Sequence, residues 1–327
     1  MRSFRLLSLG LLAAAGMTGC SPKEGATPGA GPDSAEARPH IALIMKSLAN
    51  EFFKTMEQGA REFQAAEGDR FDLMANGIPN EEDVSGQISL VEQMVAQGVD
   101  AIVIAPADSK ALAGVLDRAM KEGIVVVNID NKLDPAVLSE RNLRIPFVGP
   151  DNRAGARLAA DYVGTKLQPG DAVAIIEGIP SAFNGQQRKL GLDEGLKAAG
   201  LTIVTSQSAN WEMAKASEIA AGILNEHPEI RAILCANDSM ALGAHAAVRD
   251  AGKSGKVLVT GYDNIGAVAA LVESGEILCT VDQQGEKLAV YGIEYALDIL
   301  ENKSAPEDRQ TPVGLVAKGI PGAAASQ

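Results

Sequence analysis

From Ile41 onward, short runs of apolar, mostly β-branched residues alternate with stretches whose apolar residues recur at helical spacing. This alternation is typical of parallel strands joined by crossover helices, and continuous Val/Ile runs are typical of strands buried on both faces. The runs that predict strands are 41–45, 71–75, 99–106, 124–130, 145–151, 172–178, 201–207, 231–237, 256–263 and 277–283. So many strands exceed what one compact α/β sheet of ordinary size contains. The pattern therefore predicts an α/β fold of two lobes, each with a doubly wound parallel sheet.

The segment 80–98 shows how one crossover helix is encoded. Asn80 can cap the helix N-terminus, and the acidic residues 81–83 would form the first turn, where negative charge is favourable. Gly98 follows the last periodic residue and predicts the helix end. The predicted buried stripe consists of Val84, Ile88, Val91 and Val95.

The segment 1–19 does not fit this pattern. Arg2 and Arg5 precede an apolar run, 6–15, which is followed by small residues and Cys20. This order predicts a secretory signal peptide, and its end resembles the lipobox of bacterial lipoproteins, which are cut before a lipid-carrying cysteine. The apolar run is shorter than the roughly 18 residues that a membrane-spanning helix needs. We therefore expect lipidation at Cys20 and a lipid-anchored protein in the periplasm or at the extracytoplasmic face of the cell membrane.

Residues 20–39 are rich in Pro, Gly, Ala and Ser without an apolar period, which predicts a flexible tether. The formal net charge of the whole chain is −13 at pH 7, and cleavage would remove Arg2 and Arg5 and bring it to −15. A surface this acidic repels phosphates, so nucleic acid is not an expected partner.

Two further cysteines, Cys235 and Cys279, lie inside apolar runs. An exported protein can form a disulfide. The predicted fold, however, leaves another strand between these two residues, so we expect two buried thiols.

Candidate site residues follow the predicted strands, because ligands of open parallel sheets bind beyond the carboxyl ends of the strands. Most runs are followed by a group that forms directed hydrogen bonds. The polar candidates are Lys46, Asn50, Asp130, Asn131, Arg188, Asn237, Asp263 and Gln283. Phe52, Phe53 and Trp211 add flat apolar faces for the C–H side of a sugar ring. Because every buried hydroxyl of a polyol must be paired, this mixture predicts a site for a sugar or polyol.

Simpler roles remain open for some residues near these strand ends. Asp151 and Asp238 follow strands as helix N-caps do, and we assign them to that role. Phe52 and Phe53 are adjacent, so on a helix they point about 100° apart and at least one can belong to the core. Lys46 is harder to explain in this way, because a lysine that ends a buried strand needs a carboxylate or a hydroxyl-rich ligand nearby.

The sequence does not favour an enzyme. No G-x-G-x-x-G follows the first strand, and the segment 251–256, "AGKSGK", lacks the preceding glycine of a phosphate-binding loop, with Ala247 at that place. The three histidines, His40, His227 and His245, are scattered and form no metal or nucleophile pattern. We therefore expect no catalysis, no cofactor and no metal.

Several motifs together resemble the type I periplasmic sugar-binding proteins of the ribose-binding group, over residues 41–318. The motifs are "ALIMKSLANEFF", "VVVNIDNKLD", "AVAIIEG", "SQSANWE", "AILCANDSMALGA", "AGKSGKVLVTGYD" and "CTVDQ". The resemblance implies a monomer of two lobes, joined by three strands at a hinge, that closes over a monosaccharide and delivers it to the permease of an ABC importer. It implies an N-terminal lobe of 40–150 plus 284–311 and a C-terminal lobe of 151–283 plus 312–327. It also places the family's binding positions on the candidates above other than Asn131.

The resemblance leaves the sugar and the role partly open. Lys46 matches the allose branch of the family, whereas the ribose branch has serine there. Asn131 matches neither the arginine of ribose binders nor the acidic residue of the allose branch, and Glu51 replaces a frequent proline. Allose, ribose, another monosaccharide or a polyol therefore remain candidates. A sensing protein that presents its ligand to a membrane receptor is the alternative function. A transcription regulator of the lac-repressor family is disfavoured, because a signal and tether replace its DNA-binding helices.

Overall fold

The computed structural model describes residues 38–303 and 305–320 of the 327-residue chain. The predicted signal peptide, the predicted lipidation site at Cys20 and residues 20–37 of the predicted tether lie outside the described residues.

The strands of the described chain are β1 (His40–Ser47), β2 (Asp72–Ile78), β3 (Ala101–Ile104), β4 (Val125–Ile129), β5 (Phe147–Pro150), β6 (Ala172–Glu177), β7 (Thr202–Ser208), β8 (Ala232–Cys235), β9 (Leu258–Thr260), β10 (Cys279–Asp282), β11 (Arg309–Thr311) and β12 (Gly314–Ala317). The helices are α1 (Glu51–Glu67), α2 (Val84–Ala96), α3 (Ala113–Lys121), α4 (Pro135–Glu140), α5 (Asn152–Gly164), α6 (Phe183–Ala198), α7 (Met213–Glu226), α8 (Asp238–Asp250), α9 (Gly266–Ser274) and α10 (Gly285–Leu300).

These strands form two six-stranded sheets, with the orders β11-β5-β4-β3-β1-β2 and β12-β10-β9-β8-β6-β7. All of the pairings are parallel except that of β10 with β12. Strands such as β3, β6 and β8 are buried almost throughout, as their continuous apolar runs predict. The expected α/β fold of two parallel-sheet lobes is confirmed. We call the lobe built on the first sheet the first lobe and the other the second lobe.

The chain passes between the two sheets three times: between β5 and α5, between β10 and α10, and between β11 and β12. Helix α5 packs on α6 in the second lobe, whereas α10 packs on α1, β3 and β4 in the first. All ten strands predicted from apolar runs are present. The sequence did not predict β11 and β12 as strands, because they are short and lack a buried apolar run.

The start of α2 corrects one prediction. Asp83, not Asn80, caps this helix, because its carboxylate accepts a hydrogen bond from Gly86 N over 2.9 Å. Asn80 instead accepts from Glu82 N within the preceding turn. Of the predicted stripe, Val91 is buried and Val84, Ile88 and Val95 are half-buried against the same core.

The two cysteines of the described chain are free and buried, as expected. Cys235 ends β8 and Cys279 begins β10, and β9 lies between these strands. Within residues 38–303 and 305–320, no helix combines the length and the apolar character that crossing a bilayer requires.

Candidate functional site

A cavity of about 240 Å³ lies between the two lobes at the carboxyl ends of their strands. Its lining residues are Lys46, Asn50, Phe52, Phe53, Glu81, Asp130, Asn184, Arg188, Trp211, Asn237, Asp263 and Gln283. The structure thus brings together ten of the eleven candidates from the sequence. Asn131 does not line the cavity, whereas Glu81 and Asn184 line it and were not among these eleven.

The wall from the first lobe is centred on Lys46, near the end of β1. Its Nζ lies 3.2 Å from Asp130 Oδ2 and 3.9 Å from Glu81 Oε2. Burial raises the pKa of Glu81 to about 7, and the nearby Lys46 ammonium and the Asn50 amide oppose this rise. The lysine therefore has the carboxylates that a buried strand-end cation requires.

Glu81 corrects the sequence interpretation, which placed it in the first turn of the predicted helix. The residue lies before α2, is only 3% exposed, and accepts a hydrogen bond from Asn50 Nδ2 over 3.1 Å. Its position shortly after β2 is the signal that could have identified it. Asn184 likewise follows a predicted strand, β6, in the first turn of α6.

The wall from the second lobe is centred on Arg188, which is 2% exposed. Arg188 donates from Nε to Asn152 Oδ1 over 2.8 Å and from Nη1 to Ala236 O over 2.8 Å, and Nη1 also contacts Asp263 Oδ1 at 3.4 Å. Gln283 Nε2 donates to the same carboxylate oxygen over 2.7 Å. Burial raises the pKa of Asp263, and the Arg188 guanidinium opposes that rise.

Three cavity residues have positive φ angles, which residues other than glycine rarely adopt. The φ angles are 59° at Asp130, 70° at Trp211 and 126° at Asp263. Such strain persists only where the surroundings hold the backbone, and it is concentrated at functional sites.

Asp238 stabilises the turn that contains Asp263. The Asp238 carboxylate is fully buried and accepts from Ile265 N over 2.9 Å and from Thr280 Oγ1 over 2.6 Å. The expected role of Asp238 as a helix cap is therefore wrong, since Asn237 caps α8 by accepting from Met240 N. The expected cap of α5 by Asp151 is confirmed.

Three aromatic rings form the apolar part of the lining. Phe52 and Phe53 are both buried, with centroids 5.1 Å apart and the rings edge to face. The cations of Lys46 and Arg188 lie 5.7 Å and 5.5 Å from the centroid of the Trp211 ring. A Cβ atom at Gly178 would lie 2.0 Å from this ring, so only glycine leaves room for the indole there.

Four buried polar atoms at the cavity have no hydrogen-bond partner among the described residues. They are Glu81 Oε2, Asp130 Oδ2, Trp211 Nε1 and Gln283 Oε1. These two carboxylate oxygens lie 3.9 Å and 3.2 Å from Lys46 Nζ. Buried polar atoms normally have partners. The lining therefore offers acceptors and a donor for the hydroxyl groups of a ligand.

Asn131 lies behind the cavity wall and is fully buried. Its Nδ2 donates to Pro106 O over 2.9 Å, and its Oδ1 accepts from Asn184 N over 3.1 Å. The prediction that Asn131 lines the ligand site does not agree with this position.

Hydrogen bonds join the two lobes at, or next in sequence to, residues that line the cavity. Ser239 Oγ donates to Asn50 Oδ1 over 3.2 Å, and Asn210 Nδ2 donates to Glu82 Oε1 over 2.8 Å. These bonds join the second lobe to the first, so the structure has the closed arrangement of the cleft.

Comparison with known proteins agrees with this geometry. A family model described as a periplasmic binding protein domain matches residues 41–304. The chain is 53% identical to a D-ribose/D-allose-binding protein of Pseudomonas aeruginosa over 85% of this chain and 89% of that protein. It is 36% identical to a D-allose-binding periplasmic protein of Escherichia coli, over 86% and 92% of the two chains.

A solved structure has the same fold and contains a sugar. An ABC transporter periplasmic solute-binding protein of Actinobacillus succinogenes with bound D-allose superposes with a TM-score of 0.83 at 38% identity, covering 86% of this chain and 98% of that one. The matched proteins are binding components of transporters and not enzymes.

Proposed function

The chain belongs to the periplasmic binding protein domain family, and on this premise we propose that it binds a monosaccharide between its lobes and delivers it to the permease of an ABC importer. The observation that carries the proposal is the cavity between the lobes, whose two ion pairs, Lys46–Asp130 and Arg188–Asp263, come from opposite sides of the cleft. A ligand that contacts both walls favours the closed form, because it makes all of its contacts only there.

The chemistry of the lining suits an uncharged polyol. The cations of Lys46 and Arg188 are balanced by Asp130 and Asp263, and Glu81 has a pKa near 7. A charged ligand would upset this balance in a buried site. Hydroxyl groups can instead pair with the unpartnered oxygens and with the Trp211 N–H, while the rings cover the C–H faces.

The relatives support an allose- or ribose-like sugar. Relatives are described as binding D-ribose and D-allose. Lys46 at the end of β1 is the feature that the sequence shares with the allose branch.

Our proposal extends to the placement of the protein in the cell. The signal at 1–19, the lipid carried by Cys20 and the tether would hold a monomer at the extracytoplasmic face of the membrane, next to the permease. Residues 40–150 with 284–311 and residues 151–283 with 312–327 would move as two bodies when the cleft opens. Labelling with radioactive palmitate tests the anchor, and the absence of label would contradict it.

Isothermal calorimetry with D-allose and D-ribose tests the sugar assignment. We expect binding by the wild-type protein and, for Asp263→Ala, a loss of at least ~1–3 kcal/mol, because Asp263 holds both Arg188 and Gln283. Asp161→Ala, which removes an exposed partner of Arg157, is the control and should bind normally. Failure of all monosaccharides and polyols to bind, together with binding of an amino acid or nucleotide, would overturn the proposal.

A further inference from the structure

Helix α6 begins without a side-chain cap of its own. Its N-cap residue is Ala182, which has no side-chain acceptor, although the first backbone N–H groups of a helix need partners from outside the helix. Asn184 and Arg188 of this helix line the cavity. The contacts that hold the N-terminus of α6 therefore help to set the position of both side chains.

The acceptors come from the first lobe. Phe183 N donates to Ser109 Oγ over 2.9 Å, and Asn184 N donates to Asn131 Oδ1 over 3.1 Å. Ser109 lies in the segment after β3 and Asn131 in the segment after β4, whereas α6 belongs to the second lobe. Ser109, Asn131 and Asn184 are each at most 3% exposed. These two hydrogen bonds therefore cross between the lobes, and both of their side-chain acceptors are buried.

Both acceptors are fixed within the first lobe. Asn131 Nδ2 donates to Pro106 O over 2.9 Å, and Ser109 Oγ donates to Asn131 Oδ1 over 3.3 Å. Asn128 holds the same segment, because its Nδ2 donates to Asn131 O over 2.8 Å and its Oδ1 accepts from Leu133 N over 2.8 Å. Groups that are already ordered lose little further freedom when they form a contact.

We propose that Ser109 and Asn131 form a cross-lobe cap on α6 that is made only when the lobes close. The cap positions Asn184 and Arg188 without touching the ligand, which makes Asn131 a positioning residue. This inference rests on the proposed function, because it concerns closure of the same cleft. The hydrogen bonds of the cap are the same for every ligand, so their loss lowers the closed fraction and weakens the affinity for all ligands by one common factor.

Binding kinetics of Asn131→Ala and Ser109→Ala test the proposal. Trp211 is the single tryptophan of the chain and lines the cavity, so its fluorescence can report binding of D-allose and D-ribose in stopped-flow experiments. Each variant should weaken the binding of both sugars by the same factor, roughly ten-fold, which corresponds to ~1.4 kcal/mol. Because the cap exists only in the closed form, the change should appear in koff, with kon altered less than about two-fold.

The matched control is Asp134→Ala, which removes a cap within the first lobe. Asp134 Oδ1 accepts from Ala136 N and Val137 N at the start of α4, three residues beyond Asn131. This variant should leave koff unchanged for both sugars. It thereby separates loss of a cross-lobe cap from loss of a helix cap in general.

Three results would overturn the inference. One is an unchanged koff in both Asn131→Ala and Ser109→Ala. Another is an altered ratio of the D-allose and D-ribose affinities, which would make Asn131 a residue that distinguishes sugars. The third is a wild-type protein that binds neither these two sugars nor any other monosaccharide or polyol, which would remove the proposed function first and this inference with it. If Asn131→Ala does not fold, Ser109→Ala decides alone.

Discussion

Lys46 Nζ lies 3.2 Å from Asp130 Oδ2 in the wall of the cavity, and both side chains are at most 4% exposed. The lysine also lies 5.4 Å from the centre of the Phe53 ring. A buried pair of this kind is weak evidence for stability, because two charges lose their water, but it presents fixed charged groups to a ligand. Lys46 lies in β1 and Asp130 directly follows β4, so they meet only in the folded lobe.

Replacing Lys46 by methionine should leave Asp130 and Glu81 buried without their cation. We expect a loss of ~3–5 kcal/mol in the free energy of unfolding, the usual cost of removing one partner of a buried pair. Sugar binding should be lost as well. Urea unfolding and calorimetry measure the two effects.

The control for this change is Lys121→Met, an exposed lysine whose half-buried partner Asp117 lies on the same helix. An ion pair with an exposed cation contributes little, so the unfolding free energy should stay within about 0.5 kcal/mol of the wild type. If the two substitutions changed the unfolding free energy equally, burial of Lys46 with its carboxylates would not contribute to stability.

Gly178→Ala should displace the Trp211 ring, because the new Cβ would lie 2.0 Å from it. Overpacking of this kind costs ~1–3 kcal/mol of stability. The shifted indole should also weaken sugar binding and alter the fluorescence of the single tryptophan.

Gly222→Ala is the control, since a Cβ at this position in α7 meets no atom within 4 Å. Gly222→Ala should raise stability by about 0.5–1 kcal/mol. A wild-type fluorescence spectrum for Gly178→Ala would contradict the prediction.

Glu81 should make stability depend on pH in a defined direction. Its pKa is about 7 in the folded protein, against an ordinary value of 4.5, because the carboxyl group is buried. The folded state therefore binds more protons than the unfolded state between these values, and the unfolding free energy falls as the pH rises through this range.

Comparison with Glu81→Gln isolates this effect, because the variant lacks the titrating group. The unfolding free energy of the wild type minus that of the variant should decrease by up to ~3 kcal/mol from pH 4.5 to 7 and should then stay constant. Chemical denaturation at a series of pH values measures the difference. A difference that is flat, or that increases with pH, would show that Glu81 is not a buried acid with a raised pKa.

Cys235 and Cys279 should react slowly with thiol reagents in the native protein. Both thiols are buried, and burial raises their pKa, which lowers the fraction of reactive thiolate. In a Cys20→Ser variant, we expect no rapid reaction with a chromogenic disulfide reagent and reaction of two thiols after unfolding in guanidinium. If no thiol reacted after unfolding without a reductant, Cys235 and Cys279 would form a disulfide. That result would contradict the structure, in which β9 separates β8 from β10.

The sequence by itself determined the fold class and most of the site. Ten strands follow from local apolar runs, and the residues after them gather at one cleft because parallel strands end at the same edge of each sheet. Local composition did not predict β11 and β12, whose pairing depends on strands distant in the sequence.

Tertiary structure alone decided the roles of Glu81, Asn131 and Asp238. Glu81 belongs to an acidic turn that is normally solvated, but Lys46 and Asn50 lie beside it only after β1 and α1 pack near it. Asn131 follows Asp130 directly, yet it contacts the N-terminus of α6 in the other lobe. The reason is physical: local pattern encodes which segments are buried, whereas the partner of a buried polar group is fixed by which distant segment folds against it.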